Sequence, residues 1–349
     1  MRGFVLRIKT GIIFNMNSRN FLLFLLSLFL GIGLFFWIIK FVGWQAIKNA
    51  LLVFTGWQGM VILGLTFLLS LVCIWKWKEI LKGLGVDISF LDLIRPFFVG
   101  FSVLFFFPII LFGGETLRSY LLKEKKNLSW TKGMASVIID RILDWTTNLI
   151  IIILGMIFFL SKVGSLPQKL GIIFGGVFLF WLIGIFFFYF KVFKKESMAK
   201  FFIRLINFKY KDMEPFEIEK EIFVFFKPKK TQPWKGFGLA FLEEGIVFLR
   251  TLLLIFFLSG HVNPLASLSI NGFTYLATMI PIPASIGSLD AVQAFSFGAL
   301  GLRAGTGVVF TLIIRGAEVI LALLGLFFLF RLGFKSIETT FFKNDNCEI

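Results

Sequence analysis

Apolar runs of about 20 residues recur along the chain, each long enough to cross about 30 Å of hydrocarbon as an α-helix. They fall at 20–42, 57–75, 92–112, 133–160, 170–190, 236–259, 265–283, 285–302 and 305–330. The chain is 58% hydrophobic and carries 50 phenylalanines. A soluble domain exposing that much apolar surface would aggregate, so the expected class is an all-α polytopic membrane protein. One integral membrane domain, 1–349, is expected.

The first run, "FLLFLLSLFLGIGLFFWIIK", starts at Phe21 behind Arg2, Arg7, Lys9 and Arg19 and ends in Trp37 and Lys40. It is longer than the apolar core of a signal peptide and lacks a small-residue cleavage site, so it reads as an uncleaved first helix. Cys73 and Cys347 are too far apart to suggest a metal or disulfide pattern. The one histidine, His261, argues against a His-ligated metal centre. No Gly-rich phosphate loop ending in Lys-Ser or Lys-Thr is present, and no cofactor is expected.

The net charge of +16 does not point to nucleic acid, because the basic residues sit in the loops between apolar runs. There the positive-inside rule and anionic headgroups account for them. Five regions hold 28 of the 36 Lys and Arg residues: the N-terminus, 76–95, 113–132, 191–235 and the tail. Lys76, Lys78, Lys82 and Arg95 are the four counted in the second region. The other loops hold five, and Arg141, Arg250 and Arg315 lie inside apolar segments. All five basic regions, with both termini, are therefore expected on the cytoplasmic side of the cell's inner membrane.

That placement fails if 92–112 crosses the bilayer, since the loops at 76–95 and 113–132 would then lie on opposite sides. It holds if 92–122 enters and returns as a re-entrant hairpin. Within "FFPIILFGGETLRSYLLKEKK", Pro108 and Gly113-Gly114 are suited to break such a segment, with Glu115 and Arg118 directly behind. Non-helical backbone at that depth is tolerated only where protein buries it or where it lines a watery cavity.

The second half repeats the construction in "PIPASIGSLDAVQAF", from Pro281. Pro108 is followed after six residues by Glu115, after 25 more by Arg141, and after two more by Asp144. Pro283 is followed after six by Asp290, after 24 more by Arg315, and after two more by Glu318. Repeat one is expected at 20–160 and repeat two at 170–333. Each has three crossings plus a broken hairpin, the second at 265–303. That makes about six full crossings and two hairpins, or about eight spans if hairpins are counted. An odd number of crossings per half makes the two repeats inverted, the architecture of secondary transporters with midplane sites. Between them lies the basic loop 191–235. Its "SMAKFFIRLINF" and "PFEIEKEIFVFFK" are either short helices in the cytoplasmic interface or a solvated linker.

"FGGETLRSYLL", "VIIDRILD", "PIPASIGSLD" and "IIRGAEV", in that order, resemble the transmembrane region of lysylphosphatidylglycerol synthases. That family also includes single-domain flippase-like proteins and the membrane part of an archaeal dolichol-pathway glycosyltransferase. The resemblance runs from the first helix to about residue 333. It departs at Asp140-Arg141, where the family shows Glu-Arg, and at Gly287 and Asp290, where it shows a fuller glycine cluster and a Glu. It implies movement of an anionic or modified lipid between leaflets. The family's soluble aminoacyl-transferring domain has no counterpart before Ile349.

An ionisable group at bilayer depth costs about 3 kcal/mol on insertion scales, so each needs a partner or a function. Asp140, Arg141, Asp144, Arg315 and Glu318, with Glu243 and Glu244 two turns before Arg250, form the expected intramembrane charge network. Arg141–Asp144 and Arg315–Glu318 are expected as pairs within one helical turn. Arg118 and Arg250 lack such a partner beyond Glu115 and are the expected phosphate contacts, since guanidinium donates two parallel hydrogen bonds. Gly113, Gly114 and Gly287 would offer backbone N–H groups to an anion, although tight helix packing explains such glycines equally well. Asp290 completes the expected substrate-binding set. Asp140 and Asp144, with only Arg141 near, are expected either to take up a proton or to lie solvated at the interface.

The expected activity is a lipid flippase or transporter, not an enzyme, for an anionic or aminoacylated phospholipid or a polyprenyl-phosphate lipid. The alternative is a non-transporting membrane partner of a lipid- or glycan-modifying enzyme. A phosphate-directed enzyme would have to draw on Glu115, Asp140 and Asp144. For the topology, single cysteines at Lys48 and Lys125, in a background lacking Cys73 and Cys347, should react differently with an impermeant maleimide on whole cells. Position 48 should label and position 125 should not; the reverse pattern would rule out the hairpin.

Overall fold

A computed structural model describes residues 52, 56–106, 113–126, 128–198, 214–227, 230–261, 263–279 and 288–342. The expected crossing at 20–42, the N-terminus, Pro108, Pro283 and Gly287 lie outside them. Ten helices are numbered here in chain order, and no strand occurs among the described residues. They are α1 (Trp57–Gly83), α2 (Phe90–Phe106), α3 (Gly113–Lys126), α4 (Trp130–Val163) and α5 (Gln168–Lys194). Then come α6 (Glu214–Phe225), α7 (Gln232–Ser259), α8 (Pro264–Met279), α9 (Ser288–Ala299) and α10 (Ala304–Phe342).

Local chemistry sets the boundaries. Val86 N–H reaches the Leu81 carbonyl at 3.0 Å, a closing bond that needs Gly85 in the left-handed region at φ 77°. The Ser129 hydroxyl accepts from Lys132 N–H at the start of α4. Asn263 Oδ1 accepts from Leu265 and Ala266 N–H at the start of α8.

Within the described chain, α1, α4, α5 and residues 304–331 of α10 are long and apolar enough to cross a membrane. At 34 residues, α4 runs about 50 Å, well beyond the hydrocarbon core. The pair α7 and α8 also meets that test together, but bends by 113° at the break between them.

The expected turn in half one is visible in the packing. Leu104 and Gly100 of α2 lie against Gly114 of α3, and Gly100 also lies against Arg118. The order reverses along the second helix, so the chain doubles back between α2 and α3. Each short helix pair is then held by the long helix of the other half. Gly325 of α10 lies against the Phe98 carbonyl of α2, and Gly155 of α4 lies against the Leu268 carbonyl of α8. Ser269 of α8 donates to the Gly155 carbonyl at 2.6 Å.

Through the middle run α1 and α7. Ile62 packs with Leu254 and Ile255, Thr66 meets Arg250, Val72 packs with Ile246, and Lys76 meets Glu243. Rising numbers on one helix meet falling numbers on the other, so these two helices are antiparallel. In the basic loop, "PFEIEKEIFVFFK" forms α6 rather than a solvated linker. Its Ile222 and Phe225 are buried with Ile80, Leu84 and Ala135 at the ends of α1 and α4. Most of "SMAKFFIRLINF" lies outside the described residues.

The glycine contacts set a stability expectation. A Cβ at Gly325 would stand 2.0 Å from the Phe98 carbonyl oxygen, and one at Gly155 would stand 2.7 Å from that of Leu268. Gly325→Val and Gly155→Val should each destabilise the detergent-solubilised protein by about 3 kcal/mol, read as a drop in thermal unfolding temperature. Gly64→Ala, with nothing within 4 Å of its Cβ, should leave it unchanged or slightly higher. Equal losses at all three positions would show that the close approaches do not matter.

Candidate functional site

The charges meet around Lys76. This side chain is 1% exposed, and its ammonium lies 3.2 Å from Asp140, 2.7 Å from Glu243 and in direct contact with Asp144. It was expected among the cytoplasmic loop cations, but α1 continues to Gly83 and turns Lys76 inward. A buried ammonium persists where carboxylates replace its water shell. Asp140 is correspondingly buried in the protein, which overturns the solvated-interface reading.

Arg118 sits beside this hub on α3. Its guanidinium lies over the Trp77 ring at 4.1 Å and near the Phe97 ring at 5.0 Å. Gly100 makes room for it, since a Cβ there would stand 2.3 Å from Arg118 Cγ. Arg118 is not without an acid, as the spacing suggested: Nη1 donates to Asp140 Oδ2 at 3.4 Å. The opposite edge, Nε and Nη2, is buried with no hydrogen-bond partner. Those two N–H groups point in parallel and form the fork that matches two oxygens of a phosphate or carboxylate.

The expected Arg141–Asp144 pair within one turn is present, and pairs between helices join it. Arg141 lies 2.8 Å from Glu115 of α3 and 3.8 Å from Asp144, so the sequence-local pair is the looser one. Arg315 lies 3.8 Å from Asp290 of α9, a partner on another helix. Glu318 lies 4.0 Å from Arg250 of α7, so Arg250, with no acid within one turn of its own helix, meets one on another helix. Arg250 also donates to the Thr66 hydroxyl at 3.2 Å. At Arg141 the contact between helices is the closer one, since Glu115 Oε1 lies 2.9 Å from Nε and 2.8 Å from Nη2.

These pairs correspond across the halves. Lys76 and Arg250, Arg141 and Arg315, and Asp144 and Glu318 each stand 174 residues apart, while Glu115 and Asp290 stand 175 apart. Lys76–Asp144 recurs as Arg250–Glu318, and Glu115–Arg141 recurs as Asp290–Arg315. The approach of Gly133 to Ser119 recurs in that of Gly307 to Ala294, at offsets of 174 and 175. Extending the repeat back to Lys76 would have revealed the hub.

Glu244 belongs to the network through neutral donors. Tyr275 OH donates to its Oε2 at 2.6 Å. Asn148, with its amide nitrogen facing both acceptors, donates to Glu244 Oε1 at 2.8 Å and to the Asp144 carbonyl at 3.2 Å. Asn148 and Tyr275 carried no charge signal and were missed in the sequence. Gly114 serves close packing, since a Cβ on it would stand 2.3 Å from the Gly100 carbonyl oxygen. Gly113 is the first residue of α3.

Comparison with known proteins agrees with this picture of charged helices in a membrane. The chain is 25% identical over 272 residues to a UPF0104 membrane protein of Pyrococcus horikoshii, covering 70% of this chain and 78% of that one. It is 24% identical over 269 residues to a UPF0104 membrane protein of Methanocaldococcus jannaschii, covering 74% of this chain and 79% of that one. No solved structure matches it. Residues 24–325, which include every charge in the network, match the family described as lysylphosphatidylglycerol synthase TM region, and the chain is a multi-pass membrane protein belonging to that family.

Proposed function

We propose that this protein is a lipid flippase that moves an anionic or aminoacylated phospholipid, or a polyprenyl-phosphate lipid, between leaflets. The observation that carries this reading is the Nε/Nη2 edge of Arg118, buried with no hydrogen-bond partner. A buried unsatisfied donor is unfavourable by about 1–3 kcal/mol, more when charged, so a protein retains one where a ligand completes it. A lipid phosphate supplies the two acceptors, and Trp77 and Phe97 hold the fork in plane while it waits.

Three further observations support transport. The charge pairs of the two halves correspond at a nearly constant offset, and the equivalent helices α1 and α7 run antiparallel, as inverted repeats require. Each hairpin helix pair is held by the other half, so movement of one repeat reaches the other. The chain's Glu115, Arg250, Gly113, Gly114, Gly287 and Asp290 would then line or frame the headgroup path, with both termini on the cytoplasmic side.

The test is purified protein in liposomes carrying NBD-labelled lipids of differing headgroup, with dithionite to report outer-leaflet label. Wild type should flip NBD-phosphatidylglycerol. Arg118→Ala should slow it by at least about tenfold, and Arg118→Lys should recover only part, since ammonium lacks the fork. Thermal unfolding, followed alongside, separates lost contact from lost fold, because the alanine variant also breaks the Asp140 pair. An alanine variant that flips at the wild-type rate removes Arg118 as the phosphate contact. If no headgroup moves, the protein is instead a non-transporting partner of a lipid- or glycan-modifying enzyme.

A further inference from the structure

The two charge clusters differ in balance. In half two, Arg250 and Arg315 face Asp290 and Glu318, two cations with two carboxylates among the described pairs. Around Lys76 three cations, Lys76, Arg118 and Arg141, meet five carboxylates: Glu115, Asp140, Asp144, Glu243 and Glu244. The excess falls on α7. Glu115 has Arg141, Asp140 has Lys76 and Arg118, and Asp144 has Lys76 and Arg141. Glu243 shares the already shared Lys76, and among the described residues Glu244 is held by neutral donors alone, Tyr275 OH and the Asn148 amide.

A second observation marks the same place. Glu243 is 7% exposed, one oxygen meets Lys76, and the other, Oε1, is buried with no hydrogen-bond partner, as are Asp140 Oδ1 and Glu115 Oε2 in the same cluster. The groups facing the pair are Lys76 and Cys73 on α1, Asp140 and Asp144 on α4, and Tyr275 on α8. On α7 itself, Arg250 is engaged by Glu318 of α10. Among the described residues no further cation reaches the two carboxylates. Among the described residues no group of His, Cys, Asp and Glu is arranged to hold a metal ion. Uncompensated charge in a low-dielectric interior is strongly unfavourable, and a proton is the cation small enough to relieve it there.

We propose that Glu243 and Glu244 form a proton-binding site, through which passage of an anionic headgroup at Arg118 is coupled to a proton. The coupling half of this inference rests on the transport reading above; the proton site does not. The path is short: Arg118 to Asp140 at 3.4 Å, Asp140 to Lys76 at 3.2 Å, Lys76 to Glu243 at 2.7 Å. A phosphate on the free edge of Arg118 draws that cation away from Asp140 and deepens the negative excess. Lys76 then turns towards Asp140, and the α7 pair takes a proton from water on one side and returns it on the other. By linkage, phosphate and proton each tighten the other's binding by the same factor. The proton belongs to the pair rather than to either residue, as for any two strongly interacting carboxyls.

Infrared spectroscopy of the purified wild-type protein tests the site directly. A protonated-carboxyl band that shifts in heavy water should be present near neutral pH. It should weaken in Glu243→Gln and Glu244→Gln and vanish in the double variant. Absence of the band in wild type, or its loss in Asp144→Asn with persistence in the double variant, overturns the proposal without any transport measurement. In liposomes, an imposed pH gradient should change wild-type flipping of NBD-phosphatidylglycerol by roughly tenfold, and the double variant should lose that response. Flipping indifferent to the gradient overturns the coupling. Absence of flipping with the band intact sinks the transport reading and leaves the proton site standing.

Discussion

Everything near the centre of this protein is arranged around one ammonium group. Lys76 carries a charge into a membrane-spanning helix, and three carboxylates from two other long helices close on it. Removing one member of such a buried set leaves an uncompensated charge, unfavourable by about 3–5 kcal/mol. The contact therefore fixes the relative depth of α1, α4 and α7. Arg118 and Arg141 attach α3 to the same point through Asp140 and Glu115. Hydrophobic packing alone would not set that register, because lipid tails are as apolar as the helix faces.

The two halves share a frame and differ at one informative place. Gly100, which makes room for Arg118, corresponds to Thr274 at the same offset of 174. Arg118 itself corresponds to Gln293, at the offset of 175 shared by Glu115 and Asp290, and the Gln293 amide donates to the Thr274 hydroxyl. A charged fork in half one is thus a neutral, satisfied pair in half two. The recurring salt bridges fall at matching sequence positions of the two halves, while an arginine with both Nε and Nη2 buried and without a hydrogen-bond partner occurs once among the described residues.

The spans, the break before Glu115 and the recurrence of acid, arginine and acid were legible in the sequence, because helix length and residue spacing are local properties. The partners were not. Lys76, Lys78 and Lys82 look alike at the end of an apolar run, where lysines commonly snorkel to the interface. Only the rotation of α1 against α4 and α7 turns Lys76 inward. Likewise Arg315 and Glu318 stand one turn apart, yet each finds a partner on another helix. Proximity along a helix is worth a few tenths of a kcal/mol, which a buried contact between helices readily exceeds. Asn148 and Tyr275 carry no charge and stand out only once Glu244 is seen between them.

The approaches of Gly155 to the Leu268 carbonyl and of Gly325 to the Phe98 carbonyl leave smooth backbone against smooth backbone. Where side chains interlock, as ridges in grooves, a helix must lift before it shifts. At Gly155 and Gly325 the backbones meet with only small side chains beside them, Ser269 donating to the Gly155 carbonyl and Ser102 lying next to Gly325. Gly155 and Gly325 therefore set the distance of closest approach between helices of the two halves, as spacers of zero thickness.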